Sequence, residues 1–377
     1  MKATVTVGRI YGIPIGVHYT WLAAFGFITW SLAEGFFPRF FPGWETITYW
    51  WLAWVSAASL FLSVLIHELA HSAVALKRGI VVQSITLFIF GGVSNLRADS
   101  GRALDEFLIA VVGPLTSIAL GATAWLTVQV LSDDVGALRA LVSYLALTNV
   151  ILGAFNLLPG FPLDGGRVLR SLVWGVTGNF ARATALAATA GQMLSFAFMG
   201  FGALQLLEGR ILSGLWIVFI GWFLNTTADS SRREEQVNDL LREVPVSALM
   251  GPAMTSVRSD LSVAELVTDM LLRGGRRVAI VFEEGRLAGI VTITDVWRAP
   301  EGRWEEVTVS QIMTHAPLLS VSPTEKTSVA LGLMVGRDVN QVVVSEAGQL
   351  VGLLSRSHVV NYLDFPRATG DRREVDS

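Results

Sequence analysis

The feature that most constrains this chain is the uneven distribution of its apolar residues, which are concentrated before about residue 228. A transmembrane helix needs roughly 20 predominantly apolar residues, and about six such segments follow one another in this half. They lie at about residues 19–37, 49–76, 103–131, 138–158, 184–207 and 211–228. Charged residues make up only 16% of the chain, whereas a soluble protein carries about 25%. The sequence therefore predicts a polytopic α-helical bundle, residues 1–228, in a lipid bilayer.

The basic residues between these segments predict how the bundle is oriented. One side carries Lys2, Arg9, Lys77, Arg78, Arg97, Arg102, Arg167, Arg170, Arg182, Arg232 and Arg233. The other side carries Arg39, Arg139 and Arg210, together with acids such as Asp133 and Asp134. Because basic residues are enriched in cytoplasmic loops, we expect a multi-pass protein of the cell membrane with both termini in the cytoplasm.

Charge and cysteine content narrow the chemistry further. The net charge of -3 gives no indication of nucleic-acid binding. The chain has no cysteine, which excludes disulfides and thiolate ligands, so a metal would be held by His, Asp or Glu. The first residues lack a compact basic and then apolar stretch before a cleavage site, and we do not expect a removed signal peptide.

The strongest motif is His67-Glu68-Leu69-Ala70-His71, inside the second apolar segment. Helical residues at i and i+4 lie on one face, so the two imidazoles can chelate one Zn²⁺ while Glu68 acts as a general base on the attacking water. Ionisable side chains at membrane depth are costly unless they have partners, and they mark functional sites. The alternative is a helix end with polar residues at the membrane interface, because Lys77 and Arg78 follow closely.

A third ligand is predicted in the run from Asn156 to Arg167, Asn-Leu-Leu-Pro-Gly-Phe-Pro-Leu-Asp-Gly-Gly-Arg, which contains Asp164. Pro159 should end the fourth helix, because proline lacks an amide hydrogen. Gly165 and Gly166 are expected to supply backbone conformations closed to other residues. The alternative is a cytoplasmic loop in which Asp164 forms a turn.

These motifs, in this order, resemble the site-2 protease family of intramembrane metalloproteases. The segments Gly12-Ile-Pro-Ile-Gly-Val-His18, Phe90-Gly91-Gly92 and Gly113-Pro114 are similar to other features of that family. The resemblance covers residues 8 to 228 and implies that His67, His71 and Asp164 bind zinc and that Glu68 activates water. It also implies that Asn156 holds the substrate or the developing oxyanion, although an Asn that caps or bridges helices is an alternative. Asn149 is a lesser candidate, and His18 is expected to be an interfacial or packing residue.

The resemblance also implies a short re-entrant β segment beside the site. Ile89–Val93 follows a strand-like run, Ser84–Phe88. A strand edge there could pair with an unwound substrate, whose amides a helix would otherwise hide. A simple cytoplasmic hairpin is the alternative.

The second half of the chain contains an internal repeat with a period of about 63 residues. A charged helical linker, 229–244, precedes it, and a polar tail, 366–377, follows. Each repeat contains two short apolar strands, Val278–Phe282 with Leu287–Thr292 and Gln341–Val344 with Leu350–Leu354. The repeats, 245–300 and 306–365, resemble a pair of cystathionine-β-synthase-type (CBS) modules, which are α/β in fold.

The CBS resemblance leaves two interpretations open. The first repeat keeps the pattern for an adenosine nucleotide (ATP, ADP or AMP) as Gly289, Thr292 and Asp295, with the carboxylate on the ribose. In the second repeat, His358 replaces the Asp. The other interpretation is a packing module or a homodimerisation module without ligand.

Taken together, the sequence predicts an intramembrane zinc metalloprotease that hydrolyses a peptide bond within or near the membrane span of a single-span protein, for example a membrane-anchored regulator. Adenine nucleotides on the CBS pair would regulate it. The alternatives are a catalytically inactive relative that binds membrane proteins and a CBS-regulated transporter.

Overall fold

The computed structural model describes residues 4–89, 91–96, 101–132, 136–241, 243–252, 256–268, 278–300, 302–347 and 349–370. The chain forms two compact units, Met1–Glu235 and Gln236–Ser377. Some residues used above lie outside the described ranges, namely Lys2, Phe90, Arg97, Asp133, Asp134 and, from the predicted tail, 371–377.

The first unit is dominated by helices. They are α1 (Thr20–Ser31), a π-helical turn (Leu32–Phe36), α2 (Phe37–Phe40), α3 (Thr46–Lys77), α4 (Ala103–Val130), α5 (Gly136–Asn156), α6 (Asp164–Thr177), α7 (Phe180–Leu207) and α8 (Ile211–Leu241). Among the described residues, 4 helices are long and apolar enough to cross a membrane: α3, α4, α5 and α7. The predicted segments 19–37 and 211–228 are helical as well, but the count of six spans stays a prediction.

A four-stranded sheet accompanies these helices, with the strand order β1-β2-β3-β4. Its strands are β1 (Val5–Ile10), β2 (Ile13–Val17), β3 (Val82–Phe88) and β4 (Gly91–Leu96). A tight turn joins β1 to β2, with φ of 50° at Tyr11 and 78° at Gly12, as the favoured two-residue hairpin turn requires. The β3–β4 hairpin contains the strand-like run predicted from the sequence, and β4 forms one of the two outer edges of the sheet.

Helix α4 lies at the centre of the unit and packs against α3, α5 and α6. Small residues let α4 and α5 approach closely, as is usual between membrane helices. A Cβ on Gly121 of α4 would come within 2.9 Å of the backbone nitrogen of Val150, and one on Gly153 of α5 within 2.8 Å of the Pro114 carbonyl. Helix α4 is therefore held firmly by α5, and α3 and α6 pack against it with their polar residues.

The second unit contains two α/β repeats. Its elements are α9 (Val246–Leu249), β5 (Ser256–Arg258), α10 (Val263–Leu266), β6 (Val278–Glu283), β7 (Arg286–Thr292), α11 (Ile293–Arg298), α12 (Val309–Ile312), β8 (Thr314–His315), β9 (Ser320–Val321), α13 (Thr327–Arg337), β10 (Gln341–Glu346), β11 (Gln349–Ser355) and α14 (Arg356–Gly370). The strand orders are β5-β6-β7-β8 and β11-β10-β9. Each predicted strand pair is an antiparallel hairpin. Ile290 of one repeat packs with Val343 and Leu353 of the other, so the repeats share a core.

Candidate metal centre

Two histidines of α3 form the first part of the centre. α3 is a continuous helix of 32 residues, so His67 and His71 lie one turn apart on the same face. Their Nε2 atoms are 3.1 Å apart. Both residues are buried, with 4% and 5% of their surfaces exposed. The helix therefore presents two imidazole nitrogens to one point inside the protein.

Asp164 completes the cluster from a distant part of the chain. α5 ends at Asn156, before Pro159, and Asp164 is the first residue of α6. Its Oδ2 atom lies 3.1 Å from the Nε2 atoms of both His67 and His71. The structure thus brings together the three residues that the sequence predicted as ligands.

Gly165 and Gly166 have a different role from the one expected. Both lie within α6 and have no left-handed backbone conformation, so the prediction of unusual backbone geometry is wrong. A Cβ on Gly165 would collide with the carbonyl oxygens of Leu157 and Leu158, and one on Gly166 would come within 2.5 Å of the Phe161 nitrogen. The two glycines therefore allow the first turn of α6 to lie directly on the preceding loop.

Helix α4 orients both imidazoles. The Nδ1 atom of His71 donates to the carbonyl oxygen of Ile109 at 2.5 Å, which leaves the Nε2 lone pair free for a ligand role. The Nδ1 atom of His67 lies 2.9 Å from Ser117 Oγ, a fully buried hydroxyl. Between these two contacts, a Cβ on Gly113 would collide with both rings. Residues 109, 113 and 117 are one turn apart and form a continuous support behind the histidines.

This geometry fits a zinc ion. When Nδ1 carries the proton in both rings, the two Nε2 atoms present lone pairs to each other and to Asp164 Oδ2. Each pair of these three atoms is 3.1 Å apart. Such an arrangement is repulsive unless a bound proton or a metal cation lies between the atoms, and three convergent acceptors suit a metal ion. Tetrahedral zinc, with bonds of about 2.0–2.1 Å, separates its ligand atoms by about 3.3 Å. Two histidines and one carboxylate are also a ligand set of catalytic zinc sites, which keep a further position for water.

Glu68 lies on α3 between the histidines, and β4 lies against it. Ser94 Oγ of β4 donates to Glu68 Oε2 at 2.6 Å. A Cβ on Gly92 would lie 2.5 Å from Glu68 Cγ and 3.2 Å from Oε1. Strand β4 therefore holds the carboxylate of Glu68, which directly follows the predicted ligand His67 in the sequence.

Comparisons with known proteins identify the family of each half of the chain. The family model of peptidase family M50 matches residues 55–134 and 132–199, and the CBS domain model matches 246–299 and 309–364. The Synechocystis sp. protein sll0528, which carries the provisional name of a zinc metalloprotease, is 31% identical over 98% of this chain and 97% of its own length. This chain belongs to peptidase family M50.

One further relative and one solved structure are similar to this M50 protease. Rip3 of Mycobacterium tuberculosis, also provisionally named a zinc metalloprotease, is 32% identical over 97% of this chain and 94% of its own length. The solved site-2 protease from Methanocaldococcus jannaschii is 29% identical and covers 61% of this chain and 95% of its own, with a TM-score of 0.43. Membership of the family puts the chain among the membrane zinc metalloproteases of the site-2 type and confirms the resemblance found in the sequence.

The remaining predicted polar residues of the M50 region lie in other environments. The Asn156 amide donates to the Leu152 carbonyl of its own helix at 3.0 Å, and no described hydrogen bond joins it to the three clustered residues. Asn149 is buried and donates to Ser63 Oγ at 3.1 Å. His18 Nδ1 lies 2.8 Å from Thr20 Oγ1 at the start of α1. His18 is therefore a local packing residue, as expected, and the role of Asn156 stays a prediction.

A buried ion pair that was not predicted from the sequence holds α6 against α4. Arg170 was predicted as one of the basic residues between the fourth and fifth spans. It donates from Nε to Glu106 Oε1 at 2.7 Å, and Glu106 is fully buried in α4. The guanidinium also lies over the rings of Phe161 and Phe180, at 5.1 Å and 4.7 Å from their centroids. Arg170 thus joins α4, the loop before Asp164 and α7. The i, i+3 spacing of Arg167 and Arg170 was the available signal.

In the CBS unit, Thr292 and Asp295 contact each other. The Thr292 backbone nitrogen and hydroxyl both donate to Asp295 Oδ2, at 2.9 Å and 2.7 Å. Together they form the capping box at the start of α11. The other carboxylate oxygen, Oδ1, lies 4.0 Å from an Arg298 nitrogen. The pair is therefore a helix cap, with one carboxylate oxygen left for another contact.

Proposed function

We propose that this chain is an intramembrane zinc endopeptidase that cuts a peptide bond within or near the membrane span of a single-span protein. The observation that carries the proposal is the convergence of His67 Nε2, His71 Nε2 and Asp164 Oδ2 at 3.1 Å beside Glu68. These three residues would hold the metal. When bound, zinc supplies a Lewis acid that acidifies water and stabilises negative charge on a carbonyl oxygen.

The protein's own residues carry out the proton transfers. Glu68 takes a proton from the water that attacks the scissile carbonyl, and it then passes that proton to the nitrogen of the departing amine. His67 and His71 lie on either side of Glu68 in α3, and both belong to the buried cluster. Glu68 therefore lies beside the proposed metal site without any rearrangement of α3. Asn156 holds the substrate or the negatively charged oxygen in this proposal, which requires its amide to leave the Leu152 carbonyl.

Strand β4 is the proposed docking edge for the substrate. It is one of the two outer strands of the sheet, and it contacts Glu68 through Ser94. A substrate segment that unwinds can pair with this edge and so present an extended backbone to the carboxylate. In this proposal the β3–β4 hairpin is the re-entrant β segment, the chain spans the membrane six times, and both termini lie in the cytoplasm with the cleaved product released there.

A glutamine substitution at Glu68 tests the proposal. The substrate is a single-span reporter with Asn-Pro-Gly in the middle of its span and a tag at each end, mixed with the purified full chain in detergent. Glu68→Gln should lower the rate of cleavage by about 10²- to 10⁴-fold and keep the zinc content of the wild type. Glu45→Gln, the same change at the exposed start of α3, should cut at the wild-type rate.

The outcomes separate the alternative functions. Cleavage by Glu68→Gln at the wild-type rate would remove Glu68 from the mechanism. Wild-type protein that binds zinc and cuts nothing would favour a catalytically inactive relative that binds membrane proteins. Wild-type protein that neither binds zinc nor cuts would favour the CBS-regulated transporter.

We further propose that the CBS pair binds ATP, ADP or AMP at Thr292 and Asp295 and thereby regulates cleavage, and that the pair forms a homodimer. Oδ1 of Asp295 takes no part in the helix cap and could accept a hydrogen bond from a ribose hydroxyl, which supports this proposal. Titration of fluorescent nucleotides against the full chain should give saturable binding that Asp295→Ala removes and the exposed Asp364→Ala preserves. An absence of binding at millimolar nucleotide would leave the pair as a packing module.

A further inference from the structure

Strand β4 reaches Glu68 with two residues of the same face. Alternate residues of a strand point to the same side, and Gly92 and Ser94 both lie against Glu68. Gly92 has no side chain there, and a Cβ would lie 3.1 Å from Glu68 Cδ and 3.2 Å from Oε1. The strand therefore leaves Oε1 uncovered by a side chain at position 92, while Ser94 engages the other oxygen, Oε2.

The contact made by Ser94 is a strong hydrogen bond. A carboxylate can only accept, so the Ser94 hydroxyl is the donor, and its distance of 2.6 Å to Oε2 is typical of a hydroxyl bonded to a charged carboxylate. Ser72, a fully buried residue one turn after Glu68 on α3, has its Oγ 3.4 Å from Ser94 Oγ. The Ser94 hydroxyl thus lies close to two residues of α3, Glu68 and Ser72, and its hydrogen bond restricts the rotation of the Glu68 carboxylate.

We propose that Ser94 is a positioning residue for the general base. Its hydrogen bond to Oε2 orients the Glu68 carboxylate so that Oε1 faces the attacking water and receives its proton. This inference rests on the proposed function, because it needs Glu68 to be the base. A carboxylate that rotates freely would present the correct oxygen for only part of the time, and correct orientation of a reacting group contributes directly to its rate.

A purely structural role for Ser94 is the competing explanation. In that case the hydrogen bond would only attach the β3–β4 hairpin to α3, and its loss would loosen the hairpin. A second hydrogen bond in the same hairpin provides the matched control, since Asn95 Nδ2 donates to Ser84 Oγ at 2.9 Å across β3 and β4. Ser84→Ala removes that hairpin bond and preserves the contact of Ser94 with Glu68.

The experiment compares Ser94→Ala, Ser94→Thr and Ser84→Ala in the purified full chain with the Asn-Pro-Gly reporter. Ser94→Ala should lower kcat about tenfold, as expected for a lost hydrogen bond to a charged group, with KM within about twofold of wild type. Zinc content should match the wild type, and the melting temperature should fall no further than that of Ser84→Ala. Ser94→Thr keeps the donor and should recover most of kcat, and Ser84→Ala should cut like the wild type.

Three results would overturn the inference. They are a kcat of Ser94→Ala that equals the wild type, a Ser94→Thr variant as slow as Ser94→Ala, and a Ser84→Ala variant as slow as either. The Glu68→Gln variant keeps this failure distinct from failure of the proposed function. If Glu68→Gln is inactive and Ser94→Ala is normal, only the role of Ser94 is wrong. If Glu68→Gln cuts normally, or the wild type cuts nothing, both are wrong.

Discussion

Two polar clusters, one in each compact unit, use their hydrogen-bonding atoms in opposite ways. In the metal centre, the Nδ1 atoms of His67 and His71 are directed at α4, and the Nε2 atoms meet Asp164 Oδ2 at 3.1 Å. In the CBS unit, the two donors of Thr292 meet one acceptor oxygen of Asp295, at 2.9 Å and 2.7 Å. The first cluster gathers acceptors, whereas the second pairs donors with an acceptor.

The difference indicates which of the two clusters needs a ligand. Acceptors enclosed together are unfavourable unless a proton or a metal cation joins them, because buried polar atoms require partners. A capping box, in contrast, satisfies its own atoms and stabilises the helix that it begins. The candidate metal centre therefore has acceptors suited to a cation, while the atoms of Thr292 and Asp295 already satisfy one another without a nucleotide.

The strongest test of this comparison removes the charge of Asp164. Asp164→Asn keeps the shape of the side chain and replaces a carboxylate with a neutral amide, so zinc should fall from about one ion per chain to a small fraction. Zinc is measured by atomic emission on the purified full chain. Asp105→Asn is the control, because Asp105 lies on α4 and pairs with Arg78 at the end of α3; this variant should keep its zinc. A full complement of zinc in Asp164→Asn would show that this carboxylate is not a ligand.

Much of the metal centre could be predicted because its spacing is local or its motif is specific. The i, i+4 pair of histidines depends only on helical periodicity, which an apolar segment of this length assures. Asp164 followed from a proline-rich and glycine-rich run joined to that pair. In the second unit, short β-branched runs, each followed by a turn and another apolar strand, predicted the hairpins of both repeats, because short apolar runs bounded by turns are typical of buried strands.

The supporting residues could not be predicted, for physical reasons. The Ile109 carbonyl carries no side-chain signal, and Ser117 is one serine among many in apolar helices. Their roles depend on which face of α4 meets α3, and tertiary packing decides that. The β1–β2 hairpin was missed because glycines and Pro14 interrupt the usual strand pattern. Gly165 and Gly166 were noticed for their backbone freedom, whereas their function is close packing.

A second prediction concerns the support behind the metal centre. Ser117→Ala removes the hydroxyl at 2.9 Å from His67 Nδ1, so the ring loses its orientation and zinc affinity should fall about 10- to 100-fold. Competition with a fluorescent chelator measures the affinity. Thr116→Val is the matched control, because the neighbouring Thr116 hydroxyl donates to the Val112 carbonyl of its own helix at 2.7 Å. Equal affinities for Ser117→Ala and the wild type would mean that α4 does not orient His67.

The smallest effect is expected in the CBS unit, where the comparison predicts a structural cost that needs no ligand. Thr292→Val removes the capping hydroxyl and should destabilise α11 by about 1 kcal/mol, which raises amide hydrogen exchange in residues 293–298 about fivefold without nucleotide. Thr308→Val, which removes the equivalent cap of α12, should affect residues 309–312 instead. Because Thr292 is not one of the three clustered residues, Thr292→Val should also leave the zinc content unchanged. Exchange in α11 that rises only when nucleotide is present would contradict the view of this pair as a self-sufficient cap.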